Sequence, residues 1–342
     1  MIEEDIYTYK KLPWMSKSTI LGYRFCQHLF DLRYNRGKVP DATVKAETGT
    51  NMHTLYYKFF DEIDYDHLRK FVLDYTRDTL DSEVYHYFYK VLMEMIPLNS
   101  RSYKPYQNMV KNFALLEADH WINLMRTNKN IEKVYNSFKP IYRERYLECP
   151  DLMIFGTVDR LSYYEDIKDM KILYDYKTGY IPADVRKGTK SSDPFSWTLP
   201  TKKNFEMHFY LILEMYREGF HLAPEIVDYC TQPQYFGEKV PILKTYFLDK
   251  DNNPVKPKDY LRVGFIFTGD EELPYIPKKV PSKRSLTSVF SWINKIRKVI
   301  YDNGPYLKEP SFWKCRECND DIRNECLSAE EEKMIFWEKK DD

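Results

Sequence analysis

The chain has 342 residues and carries 52 lysines and arginines against 52 aspartates and glutamates, so its formal net charge is zero. Hydrophobic residues make up 43%, with 30 tyrosines and 20 phenylalanines, which is enough for a sizeable core in one large domain or two smaller ones. These totals exclude an overall basic coat, though not a local basic groove, and no apolar run is long enough to span a membrane.

The first residues, MIEEDIYTYKK, are acidic and lack the apolar centre of a signal peptide, so an intracellular protein is expected, cytoplasmic or nucleoid-associated, without membrane partners. Ser16 is placed to cap a helix running to about Asn35, with Leu21, Phe25, Leu29 and Leu32 on one face. A second helix covers about 45 to 61, and residues 66 to 130 read as mostly helical, broken near Pro97 and Pro105. Between 138 and 178 the period changes: IYRERYLE, LMIFGTVDRLSYY and KILYDYKTG read as three consecutive strands with short turns. A helix returns at 203 to 219. Strand-like runs follow at 226 to 232, 241 to 248 and 261 to 268, then a helix at about 285 to 302 and a cysteine-rich tail. A three-strand meander followed by a helix, in a mostly helical chain, predicts a mixed α/β core with a helical insertion.

Three Asp-x-Lys triplets lie close together: Asp166–Lys168, Asp169–Lys171 and Asp175–Lys177. The first two fall in the polar turn YEDIKDMK, where charges are ordinarily solvated. Only Asp175 and Lys177 sit in an apolar strand, and period two puts both on one face. The preceding strand carries GTVDR, and pairing as a hairpin would lay Asp159 next to Asp175. Two adjoining carboxylates repel unless a cation neutralises them, and Mg²⁺ or Mn²⁺ suits carboxylate oxygens. With Lys177 to steady a phosphate's charge, these are the parts of a metal-assisted phosphodiester hydrolase. The plainer reading is a structural Asp–Lys pair at a strand end. Upstream, ETGTNMH offers His53 at a helix start, either as an ordinary core or surface histidine or as a third metal ligand.

The order Gly-x3-His, Gly-x-x-Asp, Asp-x-Lys-Thr-Gly resembles the RecB-like nucleases of the PD-(D/E)XK superfamily. That resemblance implies a restriction-endonuclease-like α/β fold, a mixed central sheet flanked by helices. It implies metal ligands at His53, Asp159 and Asp175, assisted by the main-chain carbonyl of Tyr176, with Lys177 as the catalytic lysine. The family's next helix bears Gln-x3-Tyr; FEMHFY offers Glu206 and Tyr210 at that spacing, with Glu in place of Gln. Glu144, on the strand before Asp159, is a further acidic neighbour.

Six cysteines in an intracellular chain point to metal binding or plain burial rather than disulfides. Cys149 and Cys230 read as buried thiols. The tail WKCRECNDDIRNEC holds Cys315, Cys318 and Cys326, and Cys-x2-Cys is a chelating spacing. With Cys26 near the start, the pattern resembles the iron–sulfur subgroup of the same nucleases, which includes the CRISPR-associated exonucleases and the AddB nuclease domain. That subgroup implies a structural [4Fe-4S] cluster joining the chain's two end regions. The interval from Cys318 to Cys326 is longer than in the usual form and no proline follows Cys26, which leaves Zn²⁺ as the alternative. The expected organisation is one nuclease domain over 1–342, a helical insertion at 55–135, and an iron–sulfur segment at 305–330 completed by Cys26.

Basic clusters at Lys187 and Lys190, at Lys202 and Lys203, and at 277–284 are solvated surface or phosphate contacts, and Tyr180, Phe195 and Trp197 are stacking candidates. The expected substrate is DNA, as single strands or ends, cut by an exonuclease. No phosphate loop is present in the sequence, so any motor would be a separate helicase, recombination or CRISPR partner. The rival readings are a non-catalytic DNA-binding or assembly module of the same fold, and a zinc-tailed structural protein.

Overall fold

The computed structural model describes residues 14–37, 44–71, 78–128, 130–164, 170–179, 201–269, 278–308, 310–315, 318 and 320–336. It is an α/β structure in which a six-stranded mixed sheet is flanked by helices. Strand β1 (Met15–Ser16) leads into helices α1 (Lys17–Phe25) and α2 (Gln27–Phe30), extended by a π-helical turn at Asp31–Asn35. Ser16 caps α1 by accepting from Thr19 N–H, so the expected single helix begins where its cap placed it but breaks at Cys26. Helices α3 (Val44–Glu62), α4 (Glu83–Met95), α5 (Lys104–Thr127) and α6 (Ile131–Phe138) follow. The helices are interrupted between Met95 and Lys104, near Pro97 and Pro105 as expected, and Pro105 lies in the first turn of α5, where a missing N–H costs nothing.

The meander is β2 (Tyr142–Cys149), β3 (Ile154–Tyr163) and β4 (Lys171–Lys177), paired antiparallel throughout. Helix α7 (Thr201–Arg217) then crosses one face, and β8 (Leu261–Phe267) lies parallel to β4, with β9 (Lys278–Lys279) outside it. Between α7 and β8, short strands β5 (His221–Leu222), β6 (Phe247–Leu248) and β7 (Pro254–Val255) form a separate small sheet. The strand expected at 226–232 is instead helix α8 (Pro224–Thr231). Pro224 starts it, and Ile226, Tyr229 and Cys230 are buried at helical, not alternating, spacing. Only Phe247–Leu248 of the run 241–248 forms a strand. Helix α9 (Lys283–Tyr301) is close to expectation.

Each face of the sheet has its own core. Leu173, Phe265 and Phe267 pack with α1, α7, α8 and α9, whereas Ile172, Tyr174, Tyr176 and Ile266 pack with α3 to α6. The alternation along β4 puts Leu173, Asp175 and Lys177 on the α7 side. The second core also encloses an ion pair. Arg160 on β3 is 3% exposed and holds Glu117 of α5, itself 2% exposed, with both guanidinium termini, while its Nε donates to Ser162 Oγ at 2.7 Å. No described helix is long and apolar enough to cross a membrane.

The buried pair makes a stability prediction. Glu117→Ala strands a guanidinium without its carboxylate and lowers unfolding free energy by about 3–5 kcal/mol, read by urea denaturation. Replacing both residues by methionine restores much of that loss; a single change costing under about 1 kcal/mol would contradict the assignment.

Candidate functional site

Strand register brings the carboxylates together. Arg143 pairs with Arg160 and Arg145 with Val158, so Glu144 on β2 stands opposite Asp159 on β3. On the other side the last pair is Arg160 with Tyr174, and one further step sets Asp159 opposite Asp175 on β4. Glu144, Asp159 and Asp175 therefore form one row across three strands. At this row β3 and β4 part. Ile154 and Phe155 pair with both β2 and β1, so β1 takes the edge of β3 that β4 holds from Arg160 onward. The Tyr176 N–H closes the fork by donating to Asp159 Oδ2 at 2.7 Å.

Three helices and the end of β4 supply further side chains. His53 projects from α3, its Nδ1 3.6 Å from both Glu144 Oε1 and Asp159 Oδ2, with its ring edge-on to Tyr176. Lys177 contacts Asp175 Oδ2 and reaches Glu206 Oε2 of α7 at 2.8 Å. Tyr210, one turn along α7, is buried. Lys17, the first residue of α1, places Nζ 2.9 Å from Asp175 Oδ1, 3.8 Å from Glu206 Oε2 and 4.6 Å from the centre of the Tyr210 ring.

Two glycines of the motifs are explained by close approach. A Cβ on Gly156 would meet the Tyr210 ring at 3.1 Å, and one on Gly49 would meet Thr178 Oγ1 at 3.3 Å. They let α7 and α3 close on the fork from either side. Glu144 has φ +45°, a left-handed backbone rare for a non-glycine residue inside a strand. Strain of this kind, of order 1–3 kcal/mol, persists where the surroundings impose it and concentrates at functional sites.

The expected ligands His53, Asp159 and Asp175 share this fork, and Tyr176 sits between Asp175 and Lys177 as expected of a strand. The tightest chelating group among the described residues is different: His53, Glu144 and Asp159 each offer an atom within 4.8 Å of the others. Asp175 is held by two lysines instead. Glu206, at the position of the family's glutamine, pairs with Lys177 and Lys17. The side chains of Lys202 and Lys203 lie outside the described residues, as do Tyr180, Lys187, Lys190, Phe195 and Trp197.

Lys17 was missed by sequence reasoning, because a lysine in a helix's first turn looks solvated. Its sequence signal is position alone: it follows the Ser16 cap directly.

Electrostatics separate the two aspartates. Burial and the neighbouring Asp175 push Asp159 up to about 7, from an ordinary 3.8. Asp175 is just as buried, but Lys17 and Lys177 overcome that burial and hold it well below the usual carboxylate range. Burial pulls Lys17 and Lys177 down, yet the surrounding carboxylates outweigh it and raise both. Burial likewise lowers His53, and Glu144 and Asp159 reverse the sign.

The cysteines gather elsewhere. Cys26 ends α1 and caps α2, accepting from Leu29 N–H at 3.5 Å. Cys26, Cys315, Cys318 and Cys326 line one cavity with Leu29, Leu32, Ile322 and Leu327. The tail is tied to the start of the chain by Leu307 N–H to Gln27 Oε1 at 3.4 Å and by Arg36 with Glu325 at 3.3 Å. Burial pushes Cys149 and Cys230 up to about 12, as expected of inert thiols in the core.

A folded-state value above the unfolded one favours folding at low pH. Asp159 therefore contributes stability that is lost as pH rises from about 4 through about 7. In EDTA-treated protein, Asp159→Asn is expected to flatten that part of the decline in melting temperature; a decline of unchanged slope would refute the coupling.

No protein-family model, curated protein or solved structure matches this chain.

Proposed function

We propose that the chain is a divalent-metal-dependent deoxyribonuclease of the RecB-like PD-(D/E)XK type, with a restriction-endonuclease-like core. One observation carries the reading: three strands and three helices converge to set Glu144, Asp159 and Asp175 in a row, with His53 at one end and Lys177 at the other. A fold has no structural need for that row. Burying adjoining carboxylates is costly, and a hard cation is the simplest remedy.

The donor set fits Mg²⁺ or Mn²⁺: carboxylate oxygens from Asp159, Asp175 and Glu144, an imidazole nitrogen from His53, and the Tyr176 carbonyl between them. Such an ion, when bound, supplies Lewis-acid activation of water and of the scissile phosphate. The chain's own groups do the rest. Lys177, fixed by Asp175 and Glu206, presents a cation where negative charge grows on the phosphoryl oxygens. Asp159, protonated up to about neutral pH before metal enters, exchanges that proton for the ion. The overall reaction forms one bond from water oxygen to phosphorus and breaks one phosphodiester P–O bond, releasing an alcohol and a phosphate monoester.

A groove of about 970 Å³ runs between α9 and the turn at 237–240, bounded by Phe205 next to Glu206. Lys239, Arg284, Lys295 and Trp292 line it, offering cations and a ring to a single strand or a DNA end. Cys26, Cys315, Cys318 and Cys326, which line one cavity, would hold a [4Fe-4S] cluster. Bound there, it would fasten α1 and α2 to the tail. The two-lysine grip on Asp175 also suits the second reading, a DNA-binding module without catalysis.

Cleavage of end-labelled single- and double-stranded DNA with Mg²⁺ or Mn²⁺ separates these readings. Metal-dependent cleavage is expected, falling at least about a hundredfold in Lys177→Ala. Equal cleavage by both proteins, or none by either, would overturn the catalytic reading. For the tail, anaerobically purified protein is expected to be brown and to hold iron, and Cys318→Ala to be colourless with a lower melting temperature. Zinc without iron would replace the cluster.

A further inference from the structure

Lys17 holds a place that the metal reading gives to a metal's charge. Its Nζ is 2.9 Å from Asp175 Oδ1 and 3.8 Å from Glu206 Oε2, and its side chain is 18% exposed. Lys177 already occupies the other oxygen of Asp175 and the same oxygen of Glu206. Two ammonium groups thus share two carboxylates that are only 2% and 3% exposed. A divalent ion bonded to Asp175 would stand within a few ångströms of both, and like charges at that range repel strongly in a poorly hydrated site.

The two lysines differ in how they are held. Lys177 lies on the same strand as Asp175, two residues on, and its neighbourhood is fixed by β4–β8 pairing. Lys17 is the first residue of α1, 158 residues away, and reaches Asp175 with the tip of a flexible side chain. Lys17 is therefore the cation that can withdraw without moving the sheet. Its contact with the Tyr210 ring offers an ammonium a second resting place beside Asp175.

We propose that Lys17 is the site's built-in counter-ion: it neutralises Asp175 and Glu206 in the metal-free protein, leaves Asp175 Oδ1 when a divalent metal binds, and thereby sets the metal affinity. This inference rests on the metal reading above. It explains how a fold that buries Asp159, Asp175 and Glu206 stays intact without an ion. It also makes metal uptake an exchange of cations rather than a simple addition.

The test is calorimetric titration of Mn²⁺ alone into EDTA-stripped, full-length protein. Lys17→Met is expected to bind Mn²⁺ about tenfold tighter or more than wild type, because a competing charge is gone. Lys17→Arg, which keeps the charge, is expected to stay near wild type. A Lys17→Met protein that folds only when Mn²⁺ is present also supports the inference. Wild type that binds Mn²⁺ while Lys17→Met binds it no tighter overturns the inference alone. Wild type that takes up no Mn²⁺ overturns the metal reading and this inference with it. Should Lys17→Met fail to fold in either condition, wild type labelled with ¹³C at the lysine ε-carbons decides. The Lys17 signal, assigned with Lys17→Arg, is expected to shift on adding Mg²⁺, and an unmoved signal overturns the inference.

Discussion

A carboxylate 2% exposed in the middle of an apolar strand must be answered by positive charge, and Asp175 imposes that demand on everything around it. Left unanswered, it would be protonated or the strand would not bury. The fold answers twice, with Lys177 from the same strand and Lys17 from the far end of the chain. Those two cations then permit a second carboxylate, Asp159, to stand alongside, shifted up to about 7 by its burial and by the neighbouring Asp175. The division into one firmly ionised and one proton-holding carboxylate is thus a consequence of where two ammonium groups sit.

The architecture serves that arrangement. A continuous sheet would bond β3 to β4 along their whole length and leave no room between them. Here β4 departs at Arg160, β1 takes over the vacated edge at Ile154, and the parting exposes the row of acids to α1, α3 and α7. Gly156 and Gly49 allow those helices to come close, and Glu144 accepts a left-handed backbone at the row's end. The opposite face carries the stabilising ion pair of Arg160 and Glu117, one residue from Asp159 but on the other side of β3. Neighbouring residues on one strand therefore belong to separate groups, Arg160 to a buried ion pair and Asp159 to the row of acids.

Much of this was legible because strand periodicity is a strong local signal. Asp175 and Lys177 share a face by period two, and antiparallel pairing of β3 with β4 lays Asp159 beside Asp175. His53 and the Glu206–Tyr210 pair could be placed only through spacing between motifs. Lys17 was not read, because its partner is 158 residues away and its one local signal, its place directly after the Ser16 cap, does not by itself mark a site. Glu144 was noticeable as an acid on the right strand, but its standing opposite Asp159 depends on register, which the sequence leaves open. The segment 226–232 misled because Ile226, Val227 and Tyr229 favour strands, while Pro224 and the buried face of α8 decided for a helix. The cysteines show the same division: the Cys-x2-Cys pair is visible locally, whereas Cys26 was named only through the resemblance, and the four line one cavity.

The central claim is that the row of acids is a metal site. Its most direct test is a crystal of the full-length protein soaked in Mn²⁺, with anomalous difference density collected above and below the manganese absorption edge. The account predicts a manganese peak bonded to Asp159 and Asp175, with His53 or Glu144 completing the set. A crystal with no peak at the fork, or with manganese only at other carboxylates, would contradict it.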